Sequence, residues 1–343
     1  MQFTYTVLVS LATVALAQTQ QSQSLTDILT STPQLSSLTS FLQKYPDLVS
    51  SLSKAKDITI LAPTDDAFKA LLASDAGKAV AGDTDYIKAL LTYHVLNGTV
   101  KSTDIKKTGA FVPSLLVDEK YSNVTGGQVV EGVLVDDKVV FNTGLLANAT
   151  VKQAVCRLFS LPLLFMILPS KHIDANITLF QDITFTGGVI HIINSVLTLP
   201  ASVSTTLNAA KLTSLRDAVN ATSLIPTLNS TPDLTIFAPT NEAFAAISSI
   251  TQKLNTTELA GVLAYHVING TVGYSSVLKD GMKLKTVNGA ELVVTIRDGS
   301  VFVNAAKVVI ADVLIGNGVV HVLDKYVSLL SDFAFLIICY SSH

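Results

Sequence analysis

The chain has 343 residues, 49% hydrophobic and only 14% charged, enough for about two domains with substantial cores. Its net charge is −3, from 23 basic and 26 acidic residues, and it has no basic run, which argues against a nucleic-acid partner. Two cysteines, Cys156 and Cys339, make no disulfide framework.

Residues 1–17 read as a secretory signal: an apolar run from Val7 to Leu16 ends at the small-residue pattern Ala15-Leu16-Ala17, although no basic residue precedes it. Asn97, Asn123, Asn148, Asn176, Asn220, Asn229, Asn255 and Asn269 each stand two residues before a threonine, the acceptor pattern for N-glycosylation. Together with the signal they point to a glycoprotein.

From Leu25 the apolar residues take helical spacing: Leu25, Ile28 and Leu29, then Leu35, Leu38, Phe41 and Leu42, with Ser31 or Thr32 before Pro33 as a helix start. Ile58 to Leu61 is a short β-type run stopped by Pro63. Thr64 is then placed as an N-cap, with Asp65 and Asp66 in the first helical turn, where the helix dipole favours negative charge. A metal site is the other reading of these carboxylates. Capping explains them better, because Thr240 and Glu242 repeat the pattern with Asn241 where Asp65 stood.

A helical stretch at Tyr86 to Leu91 leads into YHVLNGTV, Tyr93 to Val100, which returns as YHVINGTV, Tyr265 to Val272, with Leu96 exchanged for Ile268. The chain therefore carries two copies of one unit. Asn97-Gly98 and Asn269-Gly270 read as tight, exposed turns. Alternating apolar runs around Asp136-Asp137 and Asp298-Gly299 predict antiparallel hairpins. Each copy closes on a β-run holding a histidine, Gly187 to Leu197 and Asn317 to Val327, and Pro200 to Thr205 is a linker.

Aligning the copies exposes a surplus segment. Removing Val155 to Gln181 sets Ala154-Asp182-Ile183 on Ala311-Asp312-Val313. The segment is apolar and broken by Pro162. Val155-Cys156 can be encoded by a fungal-type splice donor, Ala175-Asn176 by a branch point and Gln181 by an acceptor. We read 155–181 as a retained intron, against the alternative of a genuine loop or lid. The apolar tail, residues 327–343, is too short for a membrane span and lacks the spacer of a glycolipid-anchor signal. A splice donor is equally encodable at Val327-Ser328, so the tail is either a second such artefact or an ordinary terminus.

Three blocks occur in order, twice: TILAPTDDAF and TIFAPTNEAF, the two Tyr-His stretches, and GGVIHIINSVL and NGVVHVLDKYV. In them each copy resembles a fasciclin-like domain, over residues 24–199 and 205–326. The resemblance implies an α+β fold, each domain a wedge-shaped β-sandwich with a helical cluster on one side. It also implies adhesion at the cell surface or in the extracellular matrix. In animal matrix relatives the Tyr-His region and an Asp-Ile pair are implicated in integrin binding. By position these are Tyr93, His94, Asp182 and Ile183, and Tyr265, His266, Asp312 and Val313, the last departing from Ile.

The histidines His94, His191, His266 and His321 invite a metal-enzyme reading, but each sits alone in an apolar run with no further ligand at a suggestive spacing. No Gly-x-Ser-x-Gly elbow occurs. The sequence thus points to a non-enzymatic monomer without cofactor or metal. Such a protein would be secreted or at the cell surface, binding surface proteins or wall and matrix glycans, with no nucleic-acid partner and a membrane link only through an anchor missing here. The alternative is a luminal glycoprotein of the vacuole or secretory route acting in membrane traffic.

Overall fold

The computed structural model describes residues 23–152 and 182–327. The signal, the suspected insert with Asn176, and the tail beyond Val327 lie outside the described residues.

In the first domain Ser24 and Asp27 form a capping box that starts α1 (Leu25–Ser31). Pro33 opens a single 3-10 turn leading into α2 (Ser36–Leu42), followed by α3 (Pro46–Lys54). The apolar stripe of these helices packs on β1 (Ile58–Pro63), buried along its whole length. The Thr64 hydroxyl then accepts the Ala67 N–H and starts α4 (Asp65–Ala73), as the capping reading requires. Helices α5 (Asp75–Val80) and α6 (Thr84–Tyr93) follow.

Strand β2 (Val95–Asn97) turns back antiparallel onto β1. A second layer is the meander β3 (Ala110–Pro113), β4 (Val129–Val135), β5 (Lys138–Asn142) and β6 (Asn148–Thr150). Strands β7 (Ile183–Phe185) and β8 (Gly188–Ile193) complete the first layer, ordered β2-β1-β8-β7, with β1 and β8 parallel. Gly188 is required where these strands meet: its φ is 151°, and an added Cβ would lie 1.8 Å from the Ile58 carbonyl oxygen.

The second domain repeats the plan with α7 (Val203–Ala209), α8 (Thr213–Ala221), α9 (Ile225–Ser230), β9 (Leu234–Pro239), α10 (Asn241–Ala246), α11 (Ser248–Thr251) and α12 (Thr256–Ala264). Strands β10 (Val267–Ile268), β11 (Lys283–Lys285), β12 (Glu291–Arg297), β13 (Ser300–Val303), β14 (Ala306–Ile315) and β15 (Gly318–Leu323) follow. Here β14 is continuous, pairing first with β13 and then with β15, so both layers join in one seven-stranded ladder.

Asn97 is the exposed end of β2, which returns onto a strand that precedes it; Gly98 donates its N–H to the Asp57 carbonyl and accepts the Thr59 hydroxyl. One expectation changes: the linker is shorter than Pro200 to Thr205, because Ser202 caps α7 by accepting the Thr205 N–H. The two domains also touch. Phe111 stacks on Tyr274 at 4.4 Å, and Val129 packs with Leu314 and Val319. Gln128 donates to the Ile315 carbonyl, and Thr125 donates its N–H and hydroxyl to the Asp233 carboxylate at 2.8 and 2.6 Å.

The hairpin turns are as expected: Val135 pairs with Lys138 and Arg297 with Ser300 across two-residue turns whose central residues all have positive φ.

Candidate functional site

The Tyr-His dipeptide stands where α6 ends and β2 begins, and its counterpart where α12 gives way to β10. All four side chains are buried: Tyr93 is 0%, His94 4%, Tyr265 3% and His266 3% exposed. The Tyr93 hydroxyl donates to the Val129 carbonyl at 2.9 Å, tying the helix end to the second layer. Tyr265 does the same toward Glu291, more loosely at 3.4 Å, and its oxygen accepts from Asn304.

His94 is held on both ring nitrogens. Nδ1 faces the Leu90 carbonyl at 2.7 Å and so carries the proton; Nε2 is therefore the acceptor of the Leu197 N–H at 2.9 Å. This ties the helix end to the segment after β8, residues more than a hundred apart in sequence. His266 repeats the arrangement with the Val262 carbonyl and the Val327 N–H. Burial pushes both imidazoles down to about 4, against a smaller opposing effect of the carbonyl each one donates to. With both nitrogens engaged, neither ring offers a lone pair to a metal.

The Asp-Ile position lies beside the other histidine. Asp182 accepts from the Ser102 N–H and, at 2.6 Å, from its hydroxyl, with Oδ1 3.5 Å from His191 Nδ1. His191 Nε2 donates to the Val100 carbonyl at 2.8 Å. Burial lowers the His191 pKa, opposed by that hydrogen bond and by Asp182. Serine, aspartate and histidine are thus neighbours, but the serine hydroxyl donates to the carboxylate and not to the imidazole, so nothing activates it as a nucleophile. In the second domain Asp312 accepts the Ser275 N–H, and His321 donates to the Gly273 carbonyl. Asp312 has φ 60° in an irregular stretch of β14, between Ile310 and Val313. Ile183 is half-buried and Val313 is buried.

The described residues that flank the suspected insert meet β8 at the corresponding place. Lys152 donates to the Ile192 carbonyl, and Ile183 pairs with Ile190 on the same strand. The two flanks of residues 153–182 therefore return to neighbouring places on β8, where the second domain has Ala311 and Asp312.

Among the sequons, Asn97, Asn148, Asn220, Asn229, Asn255 and Asn269 are exposed. Asn123 differs. It is half-buried between the domains: its side-chain amide donates to the Ser230 carbonyl, and its backbone N–H to that of Gly316. The sequon hydroxyl, Thr125, is the one bonded to Asp233.

The profile of the Fasciclin domain matches residues 33–157 and 210–328. The chain belongs to the fasciclin domain family. Its two fasciclin domains are similar to a fasciclin-like arabinogalactan protein of Arthroderma benhamiae, 30% identical over 274 residues, 79% of this chain and 58% of the relative. The chain thus spans little more than half of that protein's length. A second such protein, from Phaeosphaeria nodorum, is 28% identical over 280 residues, covering 81% of this chain and 80% of its own. A solved FAS1 domain pair from the insect cell adhesion molecule fasciclin I aligns over 88% of this chain and 98% of its own, at 17% identity and a TM-score of 0.38.

The partners of the buried groups were not visible in the sequence. Ser102 and Val100 lie 80 and 91 residues from the side chains they meet. Comparison of the copies would not have found Ser102 either: the repeat sets it on Tyr274, while the backbone N–H that meets Asp312 is that of the next residue, Ser275.

Proposed function

We propose that the protein is a secreted or surface-displayed glycoprotein whose two fasciclin domains mediate adhesion, as a monomer, to cell-surface proteins or to wall and matrix glycans. One contrast carries this reading. The motif residues Tyr93, His94, Asp182, Tyr265, His266 and Asp312 are engaged in hydrogen bonds inside their own domains and are buried or half-buried, while six sequon asparagines are exposed, two of them, Asn229 and Asn255, also accepting a backbone N–H. The chemistry repeated in both copies builds the scaffold, and the outer surface is left for sugars and partners. The names of the fungal relatives support an extracellular setting. The carried-over positions, with Ile183 and Val313, then act on a partner by shaping the surface above them.

The test is localisation of the tagged full chain in a fungal host, with endoglycosidase treatment and an attachment assay. Surface or medium localisation, a mobility shift on deglycosylation and a gain in attachment are expected. Retention in an internal lumen with unchanged attachment would favour the membrane-traffic reading.

A further inference from the structure

Between β9 and helices α7, α8 and α12 the second domain encloses a cavity of about 190 Å³. We propose that it binds a small uncharged molecule: a one- or two-ring, mainly apolar compound bearing a single hydroxyl or carbonyl group. This goes beyond the adhesion reading and does not depend on it.

Size sets the first limit. An apolar cavity of about 150 Å³ takes benzene, and drug-sized ligands need about 300 Å³ or more. The cavity therefore suits about ten heavy atoms. Its lining contains no Asp, Glu, Lys or Arg, so a charged ligand would lose its hydration without a partner. His266 lines it as a neutral ring whose nitrogens are already bonded to the backbone. The cavity runs from a closed end at Val203 and Leu207, each 1% exposed, to exposed Asn269 and Val287, the latter 55% exposed. Thr227, exposed and on the lining, supplies a hydroxyl that a ligand hydroxyl or carbonyl would meet.

The first domain shows how the space arises. Equivalent positions follow from shared bonds: the caps Ser24 and Ser202 set Leu25 on Val203, and Ser37 and Ser214, bonded to Asp65 and Asn241, set Leu42 on Val219. The Tyr-His repeat sets Thr92 on Ala264. The N–H groups of Leu115 and Val287, bonded to the Val95 and Val267 carbonyls, pair those two. At all four lining positions the second domain has the smaller side chain. Ile28 also becomes Thr206, a buried hydroxyl with no partner among the described residues, next to Leu207 of the wall. The largest opposite change, Leu61 to Phe237, is also on the lining, with its ring stacked on His321. Several reductions around one space, open at a polar mouth, fit a site better than an isolated packing fault.

The test uses the full chain, made in a host that adds no N-glycans, and 1-naphthol as probe, with 1-naphthoate as its charged counterpart. Binding is read by calorimetry and by NMR of the His266 ring. One 1-naphthol per chain is expected, with naphthoate at least tenfold weaker. V203L/V219L, which restores the first domain's residues, should weaken naphthol at least tenfold while keeping the wild-type circular dichroism. If that double variant misfolds, Ala264→Leu makes the same comparison. No naphthol binding up to its solubility, equal binding of naphthoate, or undiminished binding by a folded filled variant would overturn the proposal.

Discussion

Acid should loosen both domains as the pH falls below about 6.5, and His94 is the main cause in the first. Its Nε2 accepts the Leu197 N–H, so a proton there would set two donors against each other in a site closed to water. The folded state holds the imidazole down to about 4, whereas in the unfolded chain it titrates near 6.5. Because the unfolded state binds the proton first, stability is full above about pH 6.5, falls as the pH drops toward 4, and then levels off for this group. A separation of about 2.5 units is worth about 3 kcal/mol, most of it lost by pH 4.5. That is a large share of the roughly 5–15 kcal/mol of a typical domain. His266, also at about 4, imposes the same trend on the second domain. Urea unfolding at pH 7, 5.5 and 4.5, with histidine ring resonances followed by NMR, measures both quantities. A flat stability between pH 7 and 4.5, or a His94 ring that titrates near 6.5 in the folded chain, would refute the reasoning.

Further outcomes follow from the same geometry. Tyr93→Phe leaves the Val129 carbonyl without its partner and should cost about 1–3 kcal/mol in urea unfolding, with Tyr265→Phe costing less because its bond is longer. Phe111→Ala removes the stack on Tyr274 and should increase the radius of gyration in solution scattering without unfolding either domain. Peptide mass mapping should find sugar on exposed asparagines such as Asn97 and Asn269, and little or none on Asn123, whose threonine is bonded across the domain interface. Deleting residues 155–181 should leave the first domain at least as stable in thermal unfolding, and transcript sequencing should lack those codons. Finding the codons in mature message, or a less stable deletion variant, would favour a genuine loop.

Local features of this fold were legible because they rest on neighbouring residues. Thr64 and Thr240 cap helices through an amide three residues away, and Asp136-Asp137 and Asp298-Gly299 turn hairpins through their own dihedrals. The repeat made the larger plan readable. What stayed hidden depends on distant partners. Asn97-Gly98 reads as a tight turn, but which strand β2 returns to is decided by tertiary pairing to β1. Asp182 meets Ser102 across 80 residues, and Thr125 meets Asp233 across 108. The cavity is a matter of summed side-chain volumes, which no motif records.

The most direct test of the adhesion claim is attachment of cells displaying the full chain to wall- and matrix-coated surfaces, compared with cells displaying no protein. The account predicts a gain in attachment that persists in a Tyr265→Phe variant that stays folded, because the buried motif builds the scaffold and the outer surface makes the contact. No gain from a folded, surface-displayed chain would contradict it.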